Sequence, residues 1–365
     1  MGSQIETQHQ WVDKLESLSP AVKELNIKRK VDYYYVETVD GIGTYNDKDA
    51  FIFANSNLND ELIASSIADL RARSGDAPVR NLLGELTFRK TYGAFSEMAA
   101  YDWLRQAGVE FSPQTRLDAA HVVNPNGSIL DGQMTLAGKH VYFDIKGFGF
   151  LEHKLSILKE KLEEKFVGKE VLVQGGFHVS IDYIQELLER AGFEALVDEI
   201  QRNAVARRDS LQFNLREKRS VSISISESDP IKMAAENREY ALRFCGQYAR
   251  NEPFMLLFVI HPWFSKGKLH QNFCGYTDRF CREFSRLAFH SFSDDTSLLE
   301  GMQKRQLTKL LAGIGFINAW TEKSSKGRGP SSRIFLNPNA LNRLVQADFA
   351  SIQHHFGNDV TISDA

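Results

Sequence analysis

The chain has 365 residues, of which 42% are hydrophobic and 25% are charged, which is enough for one large core or two modest domains. No apolar run approaches the ~20 residues that a membrane-spanning helix needs, and the first ten residues lack the basic and apolar regions of a secretory signal. The three cysteines have no metal-ligand spacing, so we expect free thiols and a cytoplasmic protein.

The net charge of −3 favours no partner, but the charges are unevenly distributed. Residues 1–200 carry a net charge of −10, residues 201–340 carry +9, and residues 341–365 carry −2. A basic second half is typical of a protein that binds a polyanion. The alternative is that these charges simply cover exposed helices.

The predicted elements form three regions. Residues 1–90 contain two helical patterns and one aromatic strand, to which we assign no chemistry. Residues 91–200 have the order helix, two strands, helix, strand, which predicts a mixed α/β layer. The strands of that layer are expected at 109–111, in the hairpin 129–147 and at 170–174, with one long helix at 181–204 after them.

The third predicted region, residues 201–365, is the basic one, and we expect it to complete the core sheet. Its predicted strands include 220–226 and 254–262, and a single helix is expected over 229–249. A helix over 298–315 precedes a hairpin with a basic tip, which is typical of a winged-helix wing that binds DNA. Many surface hairpins share that pattern.

The hairpin of residues 129–147 places two carboxylates opposite each other. A two-residue turn at Ala137-Gly138 fits the positive φ that glycine allows, and it pairs Asp131 with Asp144. Their Cβ atoms are then ~5 Å apart, and like charges in this position repel by ~1 kcal/mol. A divalent cation between them would turn repulsion into attraction.

Strand alternation separates the two faces of this hairpin. Phe143 and Ile145 project into the core, whereas Asp144 and Lys146 are neighbours on the opposite face, which we expect to stay open.

Glu97 is a third candidate carboxylate. The positions three and four residues away on its helix are small or apolar, so Glu97 is the only charge on a stripe that should face the sheet. A buried glutamate needs a partner or a metal. The alternative is that Glu97 reaches solvent or forms a structural ion pair with Lys146.

Glu97 on a helix, then Leu130-Asp131, then Asp144-Ile145-Lys146 resembles the PD-(D/E)XK nuclease superfamily with its restriction-endonuclease-like fold. The resemblance covers about Thr91 to Gly175, and Leu130 stands where the motif name has proline. It implies an α/β fold of a mixed sheet flanked by helices, with further elements at both ends of the chain.

The resemblance also implies a Mg²⁺ site, in which Mn²⁺ can substitute, held by Asp131, Asp144, Glu97 and the carbonyl of Ile145. Lys146 would orient the attacking water beside it. Gln133 and Tyr142 are open to two readings, as contacts behind the site or as packing at the core edge, and Gln174 stands where some family members place a glutamine. The predicted product carries a 5′-phosphate and a 3′-hydroxyl.

The expected function is therefore a metal-dependent DNA endonuclease, with a role in restriction or phage defence by analogy. The alternatives are a nuclease for RNA or branched nucleic acid and a non-catalytic DNA-binding protein. A homodimer and a partner or motor subunit are both open, since the chain has no GxxxxGK[ST] loop of its own. The basic residues that would contact nucleic acid are Arg207, Arg208, Arg216, Lys218, Arg219, Lys266, Lys268, Lys326, Arg328 and Arg333.

Overall fold

A computed structural model describes residues 6–30, 34–35, 57–87, 91–147, 151–175, 181–209, 211–217, 229–260, 275–319 and 331–365. The chain divides into two compact units. The first, the sheet unit, comprises 1–148, 241–261 and 288–365, and the second, the inserted unit, comprises 149–240 and 262–287. These boundaries do not follow the predicted ones near 90 and 200.

Strands occur in both units. In chain order they are β1 (Glu6–Thr7), β2 (Tyr34–Tyr35), β3 (Phe111–Leu117), β4 (Ser128–Leu136), β5 (Lys139–Gly147), β6 (Lys169–Gly175), β7 (Val205–Arg208), β8 (Leu211–Glu217), β9 (Phe254–Ile260), β10 (Leu298–Leu299), β11 (Met302–Gln303), β12 (Leu311–Asn318), β13 (Ser332–Leu336) and β14 (Val360–Asp364).

The helices connect and flank these strands. They are α1 (Gln8–Leu18), α2 (Pro20–Glu24), α3 (Asn57–Ser74), α4 (Asp76–Leu86), α5 (Thr91–Gln106), α6 (Leu151–Lys165), α7 (Ile181–Leu188), α8 (Arg190–Asn203), α9 (Pro230–Glu236), α10 (Tyr276–His290), α11 (Lys304–Leu310) and α12 (Ala350–Phe356), with 3-10 helices at Tyr240–Gln247, Gln346–Phe349 and Gly357–Asp359.

The sheet unit is built on a mixed seven-stranded sheet with the order β14-β13-β12-β9-β5-β4-β3. β9 is parallel to both of its neighbours, β5 and β12, whereas β3, β4 and β5 are antiparallel in succession. Every residue of β9 and β12 is buried, as expected for parallel strands covered on both faces. The predicted mixed α/β class with helices flanking the sheet is confirmed.

Helix α5 packs on β5 and β9, and α3 and α4 pack on α5. The buried residues of α5 include Phe95, Met98 and Tyr101, which have the spacing of one helix face. The chain leaves the helix at Gly108, where φ is +65°, a conformation that glycine adopts without strain. This helix carries Glu97 toward the sheet.

The inserted unit contains a separate antiparallel sheet with the order β6-β8-β7. β6 was expected to extend the nuclease core. That expectation is wrong, because β6 pairs with β8 and the strand beside β5 is β9. β7 and β8 were not predicted. The helix expected over 181–204 is two helices that meet at Glu189, and the one expected over 229–249 breaks after Glu236.

The helix expected over 298–315 is much shorter, because β12 already begins at Leu311. Glycines allow the close packing of this strand: a Cβ at Gly315 would lie 2.8 Å from Leu257. β12 and β13 are interior strands of the seven-stranded sheet, so their paired parts do not form a projecting wing. The tip of that hairpin, 320–330, and the strand expected at 220–226 lie outside the described residues.

Within the described ranges, no helix combines the length and apolar character needed to cross a bilayer.

Candidate active site

The hairpin of β4 and β5 has the predicted register. Leu136 pairs with Lys139, Met134 with Val141, and Gly132 with Phe143. The turn residues Ala137 and Gly138 have φ values of +47° and +82°, the two positive angles of a type I′ turn. The same register places Asp131 opposite Asp144, one step beyond the last regular pair.

Asp131 and Asp144 form a close carboxyl pair. The N–H of Ile145 donates a 2.6 Å hydrogen bond to Oδ2 of Asp131, and the two carboxyls hydrogen-bond each other. Asp144 has no exposed surface, so the expectation that the polar face stays open is wrong at this position. Both oxygens of Asp144 are buried, and the described part of the chain offers them no hydrogen-bond partner besides Lys146 and Asp131.

Burial and charge together disfavour ionisation of Asp131. Burial, followed by the negative charge of Asp144 and their mutual hydrogen bond, raises the pKa of Asp131 to about 9. The charge of Glu97 acts in the same direction, and the charge of Lys146 opposes it. Asp131 therefore retains a proton at neutral pH when no cation is bound.

Lys146 lies on the same strand face as Asp144, as alternation predicts. Its ammonium forms an ion pair with Asp144 and lies 5.2 Å from the ring centroid of Phe244. The lysine side chain is 23% exposed, so part of it lies at the surface. Phe244 belongs to the 3-10 helix Tyr240–Gln247, and its sequence position, almost 100 residues after Lys146, gives no sign of this contact.

Glu97 approaches the pair from helix α5. Its charge contributes to the raised pKa of both Asp131 and Tyr101, so its carboxylate is within electrostatic reach of the strand residues. Among the described residues, however, there is no group of three or more His, Cys, Asp or Glu side chains arranged to hold a metal ion. The structure thus brings Asp131 and Asp144 together directly and places Glu97 near them.

Tyr101 is a site residue that the sequence analysis missed. It lies one helical turn after Glu97, is 2% exposed, and donates a 2.7 Å hydrogen bond from its hydroxyl to the main-chain carbonyl of Asp131. Burial, with the charges of Glu97, Asp131 and Asp144, holds the pKa of this phenol well above its ordinary value. The hydroxyl therefore remains a donor at neutral pH.

Of the three residues named as possible contacts behind the site, Gln174 lies elsewhere and Gln133 has another partner. Gln133 and Tyr142 are paired across the hairpin as expected, but the amide of Gln133 lies 2.8 Å from Nδ1 of His140. Gln174 belongs to β6 of the inserted unit, where its side chain accepts a 2.8 Å hydrogen bond from Asn214.

The described basic residues are engaged in local contacts. Arg208 pairs with Glu199 at 2.5 Å, Arg216 pairs with Glu170 at 2.6 Å, and Arg207 donates to Gln212. These contacts suit the alternative in which the charges cover the surface of the inserted unit. Arg333 lies on β13 and donates to the carbonyl of Ser332. The remaining candidates lie outside the described residues: Lys218, Arg219, Lys266, Lys268, Lys326 and Arg328.

The carboxyl pair fits a hard divalent cation. Both oxygens of Asp144 are buried and poorly supplied with donors, and the charge of Asp144 adds to burial in raising the pKa of Asp131 beside it. Mg²⁺ and Mn²⁺ take oxygen ligands and offset this repulsion. Asp131, Asp144 and the carbonyl of Ile145 are the groups that would hold the ion.

Comparison with protein-family models, with curated proteins and with solved structures gives no match for this chain.

Proposed function

We propose that this protein is a metal-dependent endonuclease that hydrolyses DNA phosphodiester bonds, with a core of the restriction-endonuclease-like type. The observation that carries the proposal is the pairing of Asp131 with the buried Asp144, with the ammonium of Lys146 against Asp144. A purely structural ion pair with Lys146 needs only one carboxylate. A second one beside it raises the free energy of the folded protein unless a cation is bound.

The order of elements supports the same core. Helix α5 with Glu97 is followed by the antiparallel strands that carry Asp131 and Asp144, and a crossover returns to a parallel strand beside β5. That parallel strand is β9, so the inserted unit occupies the crossover between residues 149 and 240. The core therefore has the order helix, hairpin and crossover strand, with β9 in the place where β6 was expected.

In the mechanism that this geometry supports, the side chains of the protein hold the reacting groups in place and supply charge. A divalent cation, when bound, lowers the pKa of its water and withdraws charge from the scissile phosphate. With a cation bound, Asp131 would release to solvent the proton that it retains in the metal-free protein, and the N–H of Ile145 would hold its carboxylate in place. The ammonium of Lys146, whose side chain is partly exposed, would then donate a hydrogen bond to the attacking water or to a phosphate oxygen.

The sheet topology favours a polyanion at the same edge. β5, β9 and β12 are mutually parallel, and Gly147, Ile260 and Asn318 lie at their carboxyl ends. Ligands of open α/β sheets bind at that end of the strands. Residues 261–274 and 320–330, which follow β9 and β12 in the sequence, contain four of the basic candidates, Lys266, Lys268, Lys326 and Arg328.

The test is a plasmid cleavage assay with purified protein in Mg²⁺, in Mn²⁺ and in EDTA. We expect cleavage that needs the cation and that falls by at least ~100-fold in Asp144→Ala and in Lys146→Ala. Asp294→Ala and Lys309→Ala, at exposed positions, are the matched controls and should retain activity.

The outcomes separate the alternatives. Cleavage that persists at full rate in Asp144→Ala or Lys146→Ala refutes the site. Cleavage of RNA or of branched DNA alone assigns another substrate to the same site. A gel shift without cleavage in either cation favours a DNA-binding protein that has no catalytic activity.

A further inference from the structure

The main chain of Asp131 lies at a break in the sheet. On one side, the regular pairing of β4 with β5 ends at Gly132 and Phe143. On the other side, β3 pairs Pro113 with Gly132 and Thr115 with Leu130, but the position between them is skipped. The residue at that position is Gln114, whose φ is +53°.

Two features of β3 explain the break. Pro113 has no N–H to donate. Gln114 adopts a left-handed backbone conformation that residues other than glycine and asparagine rarely take. Asp131 therefore lacks the ladder support that a residue inside a sheet normally receives. Strain of this kind persists where the surrounding structure enforces it, and it is concentrated at functional sites.

The hydroxyl of Tyr101 supplies the missing donor. Its 2.7 Å hydrogen bond ends on the carbonyl oxygen of Asp131 itself. The phenol ring is fixed in turn, because it stacks on Phe111 of β3 with a centroid distance of 5.6 Å and an interplanar angle of 7°. Helix α5, strand β3 and Asp131 are thus joined through one buried side chain.

We propose that Tyr101 is a positioning residue that fixes Asp131 for binding the divalent cation. This inference rests on the proposed function. It assigns to the phenol hydroxyl the support that metal ligands receive from hydrogen-bonding neighbours, whose loss typically weakens metal binding 10–100-fold. Tyr101 itself contacts neither the cation nor the substrate.

The chain offers a matched control in Tyr248. This tyrosine is also buried, and its hydroxyl also donates a 2.7 Å hydrogen bond to a main-chain carbonyl, that of Ala241. Tyr101→Phe and Tyr248→Phe therefore remove the same kind of bond, but only the first bond ends on a proposed metal ligand. Both variants should lower the thermal midpoint of the metal-free protein.

The experiment titrates the thermal midpoint of the full chain with Mn²⁺ alone, without nucleic acid. For wild type and Tyr248→Phe we expect the same Mn²⁺ concentration at half of the maximal shift, and for Tyr101→Phe a concentration about tenfold higher. Equal titration curves for Tyr101→Phe and Tyr248→Phe overturn the inference while leaving the proposed function intact. A wild type whose midpoint does not respond to Mn²⁺ overturns both.

A second variant covers the case in which Tyr101→Phe does not fold cooperatively. Phe111→Leu removes the stacking partner of the phenol but leaves its hydroxyl bond in place. A higher half-saturating Mn²⁺ concentration for Phe111→Leu supports the role of Tyr101, and an unchanged one contradicts it.

Discussion

The main-chain N–H of Ile145 donates a 2.6 Å hydrogen bond to the side chain of Asp131 on the neighbouring strand. A side-chain oxygen thus takes the place of a backbone acceptor at the point where the regular ladder stops. The bond fixes the Asp131 carboxyl whether it is protonated or charged. The negative charge of Asp131 can therefore be removed without moving the side chain.

Asp131→Asn should stabilise the metal-free protein at pH 8 by at least about 1.4 kcal/mol, the equivalent of one pKa unit. The asparagine oxygen can still accept from Ile145, and its amide can donate to Asp144. In the wild type, folding raises the pKa of Asp131 from 3.8 to about 9. The stability that this proton contributes is fully present below pH 3.8 and is lost as the pH rises toward 9.

The measurement is urea unfolding in EDTA at pH 6, 7 and 8. The stability difference between Asp131→Asn and the wild type should grow with pH, whereas Asp294→Asn, at an exposed position, should follow the wild type. Parallel curves for Asp131→Asn and the wild type would show that Asp131 does not retain a proton. Added Mn²⁺ should stabilise the wild type but not Asp131→Asn.

Lys146→Met should destabilise the metal-free protein by about 3 kcal/mol, because it leaves the buried Asp144 without its cation. This is the lower end of the range for buried pairs, since the lysine side chain is 23% exposed. In a double-mutant cycle with Asp144→Asn, most of this cost should disappear, because the neutral amide needs no counter-charge. Strictly additive changes in unfolding free energy would rule out the ion pair as a stabilising contact.

Gly132→Ala should destabilise the protein by ~2 kcal/mol. A Cβ at this position would lie 2.5 Å from Cζ of Phe143 and 2.8 Å from the main-chain oxygen of Ser112, and backbone cannot move aside easily. The control is Gly84→Ala in helix α4, where a Cβ has no neighbour within 4 Å and should stabilise by ~1 kcal/mol. Chemical unfolding of both variants checks the opposite signs, and a neutral Gly132→Ala would mean that Phe143 packs differently.

The hairpin could be predicted from the sequence, whereas its surroundings could not. Alternation and the Ala137-Gly138 turn are local signals, so the register and the pairing of the two aspartates follow from a few neighbouring residues. The contacts of Tyr101 and Phe244 depend on which helices cover the sheet. β9 takes its place beside β5 only after the inserted unit, and no pattern within 91–175 reveals a crossover of that length.

The sequence analysis predicts a helix where the structure has the first residues of β12. The stretch LLAGIG continues an apolar pattern of helical spacing from α11, yet the chain becomes a strand at Leu311. Short apolar runs of this kind fit a buried helix or a buried strand equally well. Tertiary packing decides, because Gly315 lies against Leu257 where a larger residue would not fit.

Ala137→Asn should stabilise the protein by ~1 kcal/mol. Ala137 occupies a left-handed conformation at the first position of the type I′ turn, where asparagine followed by glycine is preferred. The matched control is Ala68→Asn on the exposed side of helix α3, where the same change should cost ~0.5 kcal/mol in helix propensity. Thermal unfolding of the two variants should therefore shift in opposite directions, and a loss of stability in Ala137→Asn would contradict the turn.

The salt dependence of DNA affinity should distinguish the two sets of basic residues. Arg208 and Arg216 are already paired with Glu199 and Glu170, so their replacement by alanine removes little net attraction for phosphate. The combined change Lys266→Ala and Lys268→Ala, in the segment after β9, should instead lower the slope of log affinity against log salt by about 2, one released counterion for each lysine.

Fluorescence anisotropy of a labelled duplex at a series of salt concentrations, in EDTA to prevent cleavage, measures these slopes. The paired change Arg208→Ala and Arg216→Ala is the control, because it removes the same number of positive charges from described positions that have acidic partners. If that control lowers the slope as much as the lysine pair does, the inserted unit also binds the duplex through these arginines, and their ion pairs must open when DNA binds.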